Sequence, residues 1–146
     1  MMRRLLPALL SLAVAFPALA IDYRSVEVPA AILYDAPSQK AKKLYLIRAQ
    51  TPVEVVVRLE GWAKVRDAEG MLAWIEAAQL GERRTVLVTT AAAELRQSDK
   101  ADAPVLARFD KWVVLEYAGT AAPGWVAVKH RDGAAGLIRT TQVWGL

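Results

Sequence analysis

The sequence predicts an all-β protein built as two small barrels in tandem. Three observations lead there. The first is an internal repeat: Trp62–Leu80 and Trp125–Val143 align without a gap, 63 positions apart. Trp62/Trp125, Val65/Val128, Gly70/Gly133, Ile75/Ile138 and Gln79/Gln142 are identical pairs. A unit of about sixty residues exceeds the 20–50-residue periods of solenoids and propellers and is the size of a complete small domain. The second is a series of short strand signals broken by turn residues every 8–12 positions, the rhythm of a sandwich or barrel. The third is the run Val53-Glu54-Val55-Val56-Val57, whose β-branched side chains favour a pleated strand over a helix.

In the first unit, strands are expected near 23–28, 32–34, 44–47, 53–59, 62–66 and 71–75. Glu60-Gly61 supplies one hairpin turn, and Asp67-Ala68-Glu69-Gly70 supplies the next. Residues 76–79 lack alternation and read as a single 3₁₀ turn. The second unit repeats the order, with strands near 85–88, 93–95, 105–109, 113–117, 125–129 and 134–138. Its largest insertion is placed at 118–123, and Trp112 is aligned with Pro52. The boundaries that follow are a leader over 1–20, a first domain over 21–81 and a second over 82–146. The Gly81-Glu82-Arg83-Arg84 link is too short for a flexible tether, so the units are expected to sit as a fixed pair.

Alternation in the repeated strand divides its side chains between two faces. Ala63 and Val65, with Val126 and Val128, form the small aliphatic face expected in the core. Trp62, Lys64 and Arg66, with Trp125, Ala127 and Lys129, form the outer one. Two readings of the tryptophans stay open. Each is an exposed anchor for a ligand, or each lies flat on its own barrel beneath neighbouring cations.

Residues 1–20 read as an export signal. Arg3-Arg4 precede a low-polarity stretch over 5–16, and Ala18-Leu19-Ala20 fits the small-x-small rule for cleavage after Ala20. The apolar run is shorter than the ~20 residues of a membrane span. A periplasmic chain with no membrane insertion after cleavage is therefore expected. Losing Arg3 and Arg4 takes the net charge from +4 to +2. Acids and bases then alternate without a basic stripe, which argues against a nucleic-acid partner.

The residue inventory also argues against catalysis and against any cofactor. The chain has no cysteine and a single histidine, His130. That leaves no thiolate chemistry, no three-ligand zinc site and no positioned base for nucleophilic hydrolysis. The acids fall on short strands and turns, where small barrels offer no cleft for a paired-carboxylate glycosidase. No glycine loop is present to cradle a phosphate.

The string Pro52–Gly70, P-V-E-V-V-V-R-L-E-G-W-A-K-V-R-D-A-E-G, resembles the signature of bacterial SH3-like domains. So do W-I-E-A-A-Q-L, G-E-R-R-T, the A-x-L-R of Ala93–Arg96 and the V-W-G of Val143–Gly145. The chain is similar to the exported, tandem form of that family. The resemblance implies two SH3-like barrels, each of five to six short strands with a 3₁₀ turn. It also implies a non-enzymatic role in the cell envelope, binding a peptide-like ligand such as a peptidoglycan stem peptide or an envelope protein. The candidate ligand-binding residues are Trp62, Trp125, Tyr34, Lys64, Arg66 and Lys129, with the cations directed at a ligand carboxylate. The alternative is an adaptor that docks on a membrane-bound partner without touching cell wall. Ala31-Ile32-Leu33-Tyr34-Asp35 is distantly similar to a stretch of eukaryotic SH3 domains, but the other groove-forming residues of a proline-rich site are missing.

Overall fold

The computed structural model describes residues 19–146; nearly all of the expected export signal lies outside the described residues. The described chain is all β, with no α-helix, and it forms two seven-stranded antiparallel sheets. The first sheet contains β1 (Tyr23–Val26), β2 (Ala30–Tyr34), β3 (Lys43–Arg48), β4 (Pro52–Leu59), β5 (Trp62–Arg66), β6 (Leu72–Glu76) and β7 (Leu80–Gly81). The second contains β8 (Thr85–Val88), β9 (Ala93–Arg96), β10 (Val105–Phe109), β11 (Val114–Thr120), β12 (Trp125–Lys129), β13 (Ala135–Arg139) and β14 (Val143–Trp144). Strand order is β3-β2-β6-β5-β4-β1-β7 in one and β10-β9-β13-β12-β11-β8-β14 in the other, the same path followed twice. The strands beyond the expected five to six are the two-residue β7 and β14, which leave the 3₁₀ turns Ala77–Gln79 and Thr140–Gln142 and pair with β1 and β8.

Each sheet curls around its own apolar core. Leu33, Val53, Ala63, Val65 and Ile75 fill the first, and Leu95, Leu115, Val126, Val128 and Ile138 fill the second. The aliphatic face of β5 and β12 thus lies where alternation places it. Each fully buried Val, Leu or Ile contributes about 1.5–3 kcal/mol, so these clusters supply the stability that a chain without disulfides requires. Both copies carry a register shift at one place, between Val55 and Val57 in β4 and between Tyr117 and Gly119 in β11. An extra residue there bends the long strand and increases its twist, which lets a single strand serve both sides of a small core.

The register corrects two details of the repeat. Glu54 pairs with Arg66, and Glu116 with Lys129, so the second hairpin is only one residue longer than the first. The Gln50 N–H donates to the Val26 carbonyl at 2.6 Å and the Trp112 N–H to the Val88 carbonyl at 2.8 Å. Trp112 is therefore the counterpart of Gln50, not of Pro52. Both hold a left-handed backbone, with φ of 63° and 76°.

The two modules touch through a defined seam. The Thr85 hydroxyl donates to the Gln50 carbonyl at 2.7 Å. Gly145 lies against Pro52, and Trp144 meets Tyr23 edge-on at 5.2 Å between ring centroids. Arg84, at the end of the link, stacks on Tyr23 of the first module at 5.6 Å and on Tyr117 of the second at 5.2 Å. It also donates to the Gly145 carbonyl at 3.0 Å. One guanidinium thus engages the link, both modules and the C-terminal segment.

Candidate functional site

The first module brings two of the candidate residues, Tyr34 and Trp62, together beside one cleft. Tyr34, at the end of β2, pairs with Trp74 of β6, and Trp74 pairs with Lys64 of β5. Trp62 opens β5 directly after Gly61, whose φ of 76° makes the tight hairpin turn. The Trp62 ring meets the Tyr34 ring edge-to-face, with centroids 5.5 Å apart and planes at 86°, the arrangement that aromatic quadrupoles prefer. Tyr34 is 5% exposed and Trp62 is half-buried, so Tyr34 backs the tryptophan and leaves part of its surface to solvent. An open cleft of about 520 Å³ runs beside it. Its walls are Trp62 and Gly61, the loop residues Pro37 to Lys40, and Glu76. The Gln39 amide donates to the Glu76 carboxylate at 3.1 Å and ties the loop to the sheet.

The cleft is suited to reversible binding. Its wall combines an aromatic surface with an amide, a carboxylate and an ammonium group, from Gln39, Glu76 and Lys40. A peptide backbone with charged ends matches that mixture. Sequence reasoning missed Gln39, Lys40 and Glu76. The polar Pro37-Ser38-Gln39-Lys40 turn directly after Tyr34 was the available signal.

The remaining candidate residues are placed differently. The Lys64 ammonium sits 5.9 Å from the Trp74 ring centroid, outside the cleft wall. Arg66 forms a 2.7 Å ion pair with Glu54, so its charge is already matched. Lys129 is exposed on β12 of the second module, opposite Glu116, and joins none of these groups. Trp125 corrects the reading of an exposed anchor: it is 8% exposed and Arg139 lies over its ring at 4.5 Å. The copies differ because the strands facing this position have diverged. The Leu137–Arg96 pair occupies the place of the Trp74–Tyr34 pair, and Arg139 occupies the place of Glu76. Arg96 turns to Glu94 and to the Ala101 and Ala103 carbonyls, so the Tyr34–Trp62 pair has no counterpart in the second module, where Trp125 instead borders a separate hollow of about 340 Å³ with Tyr117 and Arg84.

The His130 ring packs at a tilt against Phe109, with centroids 5.0 Å apart, and its Nδ1 lies 2.9 Å from the Asp132 carboxylate in the same turn. A hydrogen bond from the Ala134 N–H, with His130 beside it, holds the Asp132 carboxyl below the usual carboxylate range. These contacts account for His130 as a turn-and-packing residue. Among the described residues, no group of three or more His, Cys, Asp or Glu side chains is placed to hold a metal ion.

No curated protein matches the chain. Among solved structures, NlpC1 from Trichomonas vaginalis is similar at 14% identity and a TM-score of 0.40, covering 95% of this chain and 50% of its own. NlpC2 from the same organism is similar at 13% and 0.40, covering 87% and 49%. An NlpC/P60 family protein from Bacillus cereus ATCC 10987 is similar at 17% and 0.40, covering 84% and 56%. The chain thus spans about half the length of these structures. In sequence, residues 27–82 match the family described as bacterial SH3 domain. That stretch runs from the residue after β1 to the residue after β7 and contains the whole Tyr34–Trp62 cleft, so the first module carries a bacterial SH3 domain.

Proposed function

We propose that the chain is a non-enzymatic binding protein of the cell envelope, exported to the periplasm, whose first module holds a peptide-like ligand in the Tyr34–Trp62 cleft. The observation that carries this reading is a half-buried tryptophan, backed edge-to-face by a buried tyrosine, beside a cleft walled by Gln39, Lys40 and Glu76. A rigid aromatic surface beside amide and charged groups binds a peptide at low entropic cost. The ligand is a peptidoglycan stem peptide or a segment of an envelope protein. Lys40 supplies the carboxylate contact that the matched charge of Arg66 does not. The test is retention on purified peptidoglycan. The native protein is retained and Trp62→Ala is not; equal retention of both defeats this reading.

A second reading has its own observation. Val56, Val57 and Leu59 of β4 stand exposed, as do Met71, directly before β6, and Leu72, its first residue. Such an apolar surface suits an adaptor docked on a membrane-bound partner. That role requires no retention on peptidoglycan and recovery of one partner by crosslinking in the native envelope.

A further inference from the structure

A second concave surface lies at the seam. A groove of about 240 Å³ is lined by Ile47, Asp67, Ala68 and Glu69 of the first module and by Leu87 and Trp112 of the second. Trp112 is 45% exposed, the one tryptophan among the exposed large hydrophobic side chains of the described residues. It holds a φ of 76°. For a bulky side chain that backbone is strained. The turn itself does not require an indole, because glycine would make it without strain and the counterpart Gln50 makes it in the first module.

The chemistry of the groove is one-sided. Its two charged lining residues, Asp67 and Glu69, are both acids. Asp67 is held rigidly: one oxygen accepts the N–H groups of Glu69 and Met71 at 2.9 Å each, and the other accepts the Tyr45 hydroxyl at 2.8 Å. The Glu69 carboxylate forms no ion pair among the described residues. The Trp112 ring already carries a cation, since the Lys111 ammonium lies 4.4 Å from its centroid.

We propose that this groove is a second ligand site, separate from the Tyr34–Trp62 cleft, and that it takes a lysine-like side chain of a peptide. Ile47, Ala68 and Leu87 floor the path of an aliphatic stem. Trp112 covers the stem and offers its π-face to the ammonium group. Glu69, with Asp67 behind it, receives the charge. Lys111 occupies the ring as an internal competitor. Neither module makes this site alone.

The test uses the full chain and two probes, acetyl-Leu-Lys-Leu-amide and its norleucine counterpart, which lacks the ammonium. Binding is followed at the indole N–H signals in nitrogen-15 NMR. The lysine probe shifts the Trp112 signal, and the norleucine probe binds about tenfold more weakly, as expected when a desolvated cation–π contact is lost. Glu69→Gln weakens the lysine probe about two- to fivefold. Trp112→Gly weakens it about 30-fold. Lys111→Ala keeps the ring, removes the competitor and tightens binding. Equal binding of the two probes, a shift at Trp62 in place of Trp112, or unchanged affinity in Trp112→Gly overturns the proposal. So does weaker binding in Lys111→Ala, a variant that leaves the Trp112 turn intact.

Discussion

The Thr85 hydroxyl of the second module reaches the Gln50 carbonyl of the first across 2.7 Å. Thr85 is 2% exposed, so the bond is shielded from water. Thr85→Val keeps the shape of the side chain, removes the donor and leaves a shielded carbonyl unmatched. The expected loss is about 1 kcal/mol. Urea unfolding should show a lower midpoint with an unchanged slope. An unmoved midpoint would mean that this bond does not couple the modules.

The two repeated tryptophans should behave differently when truncated. Trp125 is nearly buried under Arg139, so Trp125→Ala should cost about 3–5 kcal/mol. Trp62 is half-buried and borders an open cleft, so Trp62→Ala should cost about 1–2 kcal/mol while abolishing ligand retention. Thermal unfolding of both variants, run beside the retention assay, checks this split. Equal destabilisation would contradict it.

Alkaline stability should depend on Tyr45. Burial pushes the Tyr45 phenol up, and its hydrogen bond to Asp67 pushes it further. A raised acid keeps its proton in the folded chain after the unfolded chain has lost it. Its contribution is therefore full below pH 10 and is lost as the pH rises beyond that. Tyr45→Phe should be about 1 kcal/mol less stable near neutrality, and the gap should narrow from about pH 10 upward. Paired urea titrations from pH 7 to 11 test this, and a constant gap would refute it.

Gly136 and Ala73 occupy matching positions opposite Val128 and Val65. A Cβ on Gly136 would lie 2.5 Å from the Arg96 carbonyl oxygen, a backbone atom that cannot swing aside. Gly136→Ala should therefore destabilise the second module by about 1–3 kcal/mol. Ala73, buried without difficulty in the first module, should tolerate glycine far better. Melting temperatures of the two single variants decide the matter; equal shifts would remove the steric explanation.

The strands were legible because their signals are local. The valine run of β4, the Glu60-Gly61 turn and the Trp-x-x-Val spacing of β5 and β12 each act within a few residues. The fate of Trp125 was not legible. It depends on Arg139 and Leu137 from β13 and Arg96 from β9, which only strand pairing brings near. The place of Trp112 was hidden by the hairpin before Trp125: pairing Trp112 with Pro52 assumes three extra residues there, and the register shows one. Lys64 and Arg66 share a face with Trp62, as alternation requires, yet Trp74 and Glu54 engage them. A period of two assigns faces, but it does not identify the neighbours on those faces.

Each sheet ends in open strands, and this bears on how the protein behaves when concentrated. An unpaired row of N–H and C=O groups invites another chain to add to it. At one edge the row is nearly absent, because β7 and β14 are two residues long. In the first module the other edge is β3, where Leu44 and Leu46 face outward between Lys43 and Arg48. Those two cations repel a second copy of the same edge. High salt shortens the reach of that repulsion to a few ångströms, so self-association in concentrated brine should begin along β3 and should be suppressed by Leu46→Lys.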